Sequence, residues 1–140
     1  MARIDRFEDF EVWQNARVFC KEIFGLAQSG TFSKDYALRD QINKSSGSIM
    51  DNIAEGFERG GNREFLQFLS IAKASSGEVR SQLYRAFDRN HLTPEKFEAL
   101  KDHVDKISRQ LSNLIKHIRQ SEMKGPKYAK EPLVDYNVER

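Results

Sequence analysis

The chain has 140 residues, 39% hydrophobic and 31% charged, which is enough for one buried core and too short for a second independent domain. With 23 Lys+Arg against 21 Asp+Glu the formal charge is only +2, so the charge reads as an alternating-sign solvated surface and selects no partner. The single Cys20 excludes an intrachain disulfide framework and, with three scattered histidines, a Cys-rich structural zinc site; the expected location is the cytoplasm. The opening MARIDRFEDFE carries no apolar run of signal-peptide length, and nothing later approaches the roughly 18 apolar residues of a membrane span.

Four periodic segments follow. Trp13, Ala16, Cys20, Ile23 and Ala27 recur at alternating spacings of three and four, which predicts a first helix over 10–29. Gly30 is placed to end it, and Ser33 to cap a second helix over 34–59, whose Leu38, Ile42, Ile49, Ile53 and Phe57 share one face. Gly60 and Gly61 allow a left-handed stop, and Asn62 is a candidate cap for a third helix carrying Phe65, Leu69, Ala72, Ser76, Val79, Leu83 and Ala86, fading near Asn90. Thr93, Pro94 and Glu95 combine a hydroxyl cap, a ring-fixed first position and an acid in the first turn. The fourth helix then sets Phe97, Leu100, Val104, Ile107, Leu111, Leu114 and Ile118 in the cleanest seam of the chain. Short connections make neighbours antiparallel, so the expected class is all-α: an up-down-up-down four-helix bundle over 1–123 with an extended or disordered basic tail over 124–140.

The second helix holds an unusual band. Gln41, Ser45, Ser48, Asn52, Glu55 and Arg59 run beside the apolar face, mostly small or amide-bearing where a solvent face carries long charged chains. Such a band serves either as a close helix–helix seam with a hydrogen-bond ladder or as a subunit interface. Phe7, Phe10 and Trp13, spaced by three, form an aromatic concentration that is either core or oligomer contact.

The runs RFEDFEVWQNAR, LRDQINKSSGSIMDNIAEGFERG and NREFLQFLSIAKASSGEVRSQL, covering roughly residues 7–86, resemble the small bacterial four-helix-bundle proteins encoded in intervening sequences of 23S rRNA genes. The resemblance implies a left-handed antiparallel bundle, assembled as a barrel-like homopentamer. The architecture is also similar to the accessory bundle of diversity-generating retroelements, which associates with nucleic acid and a reverse transcriptase.

Near-neutrality hides one local excess. Between 106 and 130, Lys106, Arg109, Lys116, Arg119, Lys124, Lys127 and Lys130 face a single acid, Glu122, so this stretch is the candidate contact for RNA or DNA phosphates. Lys73 and Arg80, seven apart on the third helix, are a secondary candidate. The competing explanation is the helix macrodipole, which favours the acids Glu95, Glu98, Asp102 and Asp105 near one end and bases at the other, with Asp102–Lys106 and Asp105–Arg109 as expected i,i+4 pairs.

Catalytic signatures do not assemble. Ser70 and Lys73 fit S-x-x-K without its companion motifs, and Gly60-Gly61 lacks the rest of a phosphate-binding fingerprint. His103 and His117 are fourteen residues apart, about 21 Å along a helix, so they cannot share a metal within it. Glu55 with Arg59 would need a polar cleft to act as an acid or base. The sequence therefore points to a non-enzymatic homo-oligomer without metal or cofactor, associated with RNA or DNA, or else to a protein-interaction module.

Overall fold

The computed structural model describes residues 3–124, with side chains to Glu122. Four helices, α1 (Glu11–Ala27), α2 (Tyr36–Glu58), α3 (Asn62–Asp88) and α4 (Pro94–Lys124), form an antiparallel bundle, with short 3-10 turns at Phe7–Asp9 and Gly30–Lys34. Cross-links set the direction: Gln41 meets Arg85 and Ser48 meets Ser75 between α2 and α3, while Asn15 meets Gln110 and Glu22 meets His103 between α1 and α4. None of the helices described is long and apolar enough to cross a membrane.

The core is the sum of the four stripes. All seven seam residues of α4 are buried, as are Ala16, Ile23 and Ala27 of α1 and Leu38, Ile42, Ile49 and Ile53 of α2. Cys20 is only half-buried, its Sγ 3.9 Å from Ser46 Oγ, and Phe57 is partly buried. Phe10 sits at the centre of an aromatic cluster with Phe57 and Phe65, at ring separations of 5.3 and 5.6 Å, and Trp13 packs edge-on to Phe7 at 5.2 Å. Phe10 and Trp13 thus belong to the core of one chain. The other aromatic residues separate: Phe32 is buried under His91, whereas Phe24 is 56% exposed.

The helix ends differ in instructive ways. Gly60 adopts φ +85° and its N–H bonds to the Phe57 carbonyl, the left-handed stop expected for it. At the end of α3 the same device is built from a non-glycine residue: Asn90 has φ +62°, and His91 N–H reaches the Ala86 carbonyl at 2.9 Å. Thr93 Oγ1 accepts from the Lys96 N–H at 3.1 Å, capping α4 as its Thr-Pro-Glu start predicts.

Two expected caps are displaced. Ser33 does not cap α2; its hydroxyl donates to the Gly30 carbonyl inside the 3-10 turn, and Asp35 occupies the cap position. Asn62 is the first residue of α3 rather than its cap, which is Gly61. Asp35 is drawn elsewhere by tertiary contacts. Its Oδ2 accepts from Arg89 at 2.9 Å and from His91 Nε2 at 2.9 Å, while Thr31 Oγ1 lies 2.8 Å from His91 Nδ1 and Phe32 stacks on the imidazole at 5.1 Å. This cluster fastens the α1–α2 connection to the α3–α4 connection. The hydrogen bonds from His91 and then Arg89 hold the Asp35 carboxyl at about 2, well below its ordinary range.

Two glycines make opposite demands. A Cβ on Gly56 would stand 2.6 Å from Phe68 Cβ and 3.1 Å from the Phe65 ring, so α2 and α3 approach too closely for any side chain there. A Cβ on Gly77, exposed on α3, meets nothing within 4 Å. Gly56→Ala is expected to lose about 1–3 kcal/mol of stability to overpacking, only partly offset by helix propensity, whereas Gly77→Ala gains about 0.5–1 kcal/mol; urea unfolding of both variants checks the sign.

Asp35 gives a pH signature. Because its folded-state pKa lies below the unfolded value, its contribution is complete above about pH 4 and fades as pH falls toward about 2. Asp35→Asn is therefore expected to lower the melting temperature at neutral pH, with the gap to wild type closing as pH drops through that window in thermal melts.

Candidate nucleic-acid interface

The middle of the band on α2, Ser45, Ser48 and Asn52, lies in the seam with α3 and is hydrogen-bonded there, while Gln82 Oε1, buried in the same seam, has no partner among the described residues. The Ser45 hydroxyl is 2.9 Å from the Gln41 carbonyl and 3.0 Å from Glu78 Oε1, either of which can take its proton, and it accepts from Gln82 Nε2 at 3.1 Å. Ser48 and Ser75 hydroxyls are 2.9 Å apart, and Asn52 Nδ2 donates to the Ser48 carbonyl at 2.8 Å. Arg85 closes the outer end on Gln41 Oε1 at 2.7 Å. Glu55 and Arg59 form an exposed i,i+4 pair at 3.0 Å, with the guanidinium over the Phe68 ring, a surface arrangement worth a few tenths of a kcal/mol. A polar cleft of about 600 Å³ runs outside this seam, with Lys44 and Arg85 opposed by Glu78.

A second groove, between α3 and α4, is different in charge. Its wider part, about 760 Å³, is bordered by Lys73 on α3 and by Lys116 and Arg119 on α4. A contiguous cleft of about 420 Å³ shares Lys73 and Ser112 with it and adds Arg80 and Arg109. The cause is register. Lys73 and Arg80 are seven residues apart on α3, Arg109 and Lys116 seven apart on α4, and each interval is nearly two turns, so each pair keeps to one side of its helix. The antiparallel packing of α3 and α4 then turns the two pairs toward each other.

The acid of this groove is already engaged. Asp105 takes Arg80 across the groove at 3.1 Å and Lys101 along α4 at 3.6 Å, so the expected Asp105–Arg109 pair does not form: the carboxylate turns toward α3. The expected Asp102–Lys106 pair is likewise absent among the described residues, both side chains being exposed. Lys73, Arg109, Lys116 and Arg119 are exposed and make no ion pair among the described residues.

Of the sequence candidates, Arg109, Lys116 and Arg119 thus border one groove with Lys73 and Arg80. Lys106 is exposed outside its lining. Lys127 and Lys130, the tail over 125–140 and the side chain of Lys124 lie outside the described residues. Sequence reasoning named the cations of both helices but not their meeting, which depends on how α3 rotates against α4. It also missed the Asp35 cluster, whose members are distant in the chain.

That cluster has the connectivity of a hydroxyl–imidazole–carboxylate relay, Thr31 to His91 to Asp35. Its environment argues for fastening instead: the imidazole is covered by Phe32 and only 9% exposed, and Arg89 shares the carboxylate. His103 stands 3.7 Å from Glu22 and edge-on to Phe19, and among the described residues no three metal-ligating side chains converge.

Comparison with known proteins places this geometry in a family. A crystal structure at 1.70 Å of a protein of unknown function from the S23 ribosomal protein family of Bacteroides thetaiotaomicron shares the fold, with a TM-score of 0.71 and 24% identity over 75% of this chain and 95% of that one. No curated protein matches. The family model described as 23S rRNA-intervening sequence protein matches residues 8–113, from within the first 3-10 turn well into α4, and the chain belongs to that family.

Proposed function

We propose that this protein is a non-enzymatic adaptor of the cytoplasm that associates weakly, with little sequence preference, with RNA or DNA through the α3–α4 groove. The observation that carries the reading is the gathering of Lys73, Arg109, Lys116 and Arg119 on two walls of one groove without ion-pair partners among the described residues. Arg39, Arg59 and Arg89 are paired with Asp40, Glu55 and Asp35, and although Arg17 and Arg63 also lack ion pairs among the described residues, they do not share one groove. The helix macrodipole acts only in terminal turns, so it contributes little at Arg119, less at Lys116, and leaves Lys73 and Arg109, both near mid-helix, unexplained. Exposed cations along a groove are suited to phosphates, whose bound counterions are released on contact.

The working unit in this proposal is a homo-oligomer, the pentamer being favoured by the sequence resemblance, since repetition of a weak site raises avidity. Val18 and Phe24 support it, at 59% and 56% exposure on the outer side of α1. The same exposed side chains, with Ile71 and Tyr84 on α3, favour a second reading in which the partner is a protein and nucleic acid plays no part.

Fluorescence anisotropy with labelled RNA at two salt concentrations tests the first reading. Four phosphate contacts per protomer predict that log K falls with log salt at a slope of about −3, and that changing Lys73, Arg109, Lys116 and Arg119 to glutamine removes binding. Absence of binding at low salt, or binding unaffected by those changes, overturns it. Light scattering tests assembly: a multimer at tens of micromolar is expected, converted toward monomer by Val18→Asp with Phe24→Asp, whereas a strictly monomeric wild type contradicts the oligomer.

A further inference from the structure

Resting on the nucleic-acid reading of the α3–α4 groove, we infer that its occupant is an unpaired strand that lays a base on the groove floor, not a duplex. The floor is made of small or apolar side chains. On α3, Ser70, Ala74 and Gly77 follow at intervals of four and three, which places them on one strip of the helix; Ser112 and Ile115 face them from α4. The space above Gly77 is open, since a Cβ there would meet no atom within 4 Å. At about 760 Å³ the recess falls within the range of about 300–1,000 Å³ that holds small organic groups.

Charge is arranged around that floor rather than in it. Lys73 rises on one rim and Lys116 and Arg119 on the other, positions suited to phosphates on either side of an inserted base. The Ser70 hydroxyl donates to the Leu66 carbonyl at 3.0 Å, so its remaining capacity is to accept, for instance from a base N–H such as that of uracil N3. A duplex offers no such fit. Its base faces are stacked and closed, and protein reaches it by elements that enter the major groove of B-DNA or lie across the minor groove of A-form RNA, whereas this surface is recessed where its cations gather. No aromatic ring lines the recess among the described residues, so there the base rests on aliphatic surface and on the Arg119 guanidinium; binding is weak and tolerant of sequence.

The test compares two probes on the full chain at low salt: a labelled oligouridine of about twelve nucleotides and a labelled hairpin duplex with a similar number of phosphates. Gly77→Leu and Ala74→Leu fill the recess without altering charge, Gly77→Ala is the control for helix propensity, and Lys73→Gln with Lys116→Gln removes rim charge. Circular dichroism melts establish that each variant is folded. Oligouridine is expected to bind about tenfold more tightly than the duplex, and the recess-filling variants to weaken oligouridine about fivefold while leaving the duplex unchanged. Equal or tighter duplex binding, or oligouridine binding indifferent to both leucine variants, overturns the unpaired-strand inference. If in that case the glutamine variants still weaken both probes, the basic-groove reading survives alone; binding of neither probe removes both.

Discussion

The close packing of α2 against α3 is the constraint on which the rest of this structure depends. At Gly56 the helices approach until no Cβ fits beside Phe68, and farther along the seam the contact is made by Ser45, Ser48, Ser75 and Gln82. Buried polar groups favour registers in which they find partners, so a ladder of this kind, complete but for Gln82 Oε1, restricts the axial and rotational setting of α3 more narrowly than an apolar seam would. With Ser75, Ser76 and Gln82 turned inward, Lys73, Ala74 and Gly77 are turned out along the edge shared with α4. The groove proposed as a nucleic-acid site is therefore a consequence of a seam on the opposite side of the same helix.

Much of this was legible in the sequence because it is local. The α4 seam, the left-handed stop at Gly60 and the Thr93 cap each depend on residues within a few positions of one another, and each stands where the pattern puts it. Ser33 and Asn62 show where local chemistry gives way: both are good cap types, but α2 starts after Asp35, whose carboxylate is engaged by Arg89 and His91 more than fifty residues on, and α3 starts after Gly61. Asp105 makes the same point for charges. Its i,i+4 neighbour Arg109 was the natural partner by sequence, yet Arg80 on the next helix takes the carboxylate and leaves Arg109 free to border the groove. Pairing of this kind is decided by rotation between helices, which periodicity does not encode.

The electrostatic picture changes accordingly. A formal charge of +2 averages over regions that differ strongly. Exposed charges act over roughly a Debye length, about 8 Å at physiological salt, so the count that matters to a phosphate is the one within a single groove. There the one engaged acid is Asp105, held by Arg80 and Lys101, against four cations without ion-pair partners among the described residues. The cleft outside the α2–α3 seam sets only Lys44 and Arg85 against Glu78, a smaller excess of positive charge. Charge thus distinguishes the two grooves, and it is the reason the proposal falls on one of them.

The central claim is the location of that site, and chemical-shift mapping tests it most directly. On titration of the isotopically labelled chain with short single-stranded RNA, the account predicts perturbations confined to residues 70–80 of α3 and 105–120 of α4, beginning with the Gly77 amide. Perturbations centred on α1 or on the α2–α3 cleft around Lys44, Glu78 and Arg85, with α4 unchanged, would contradict it.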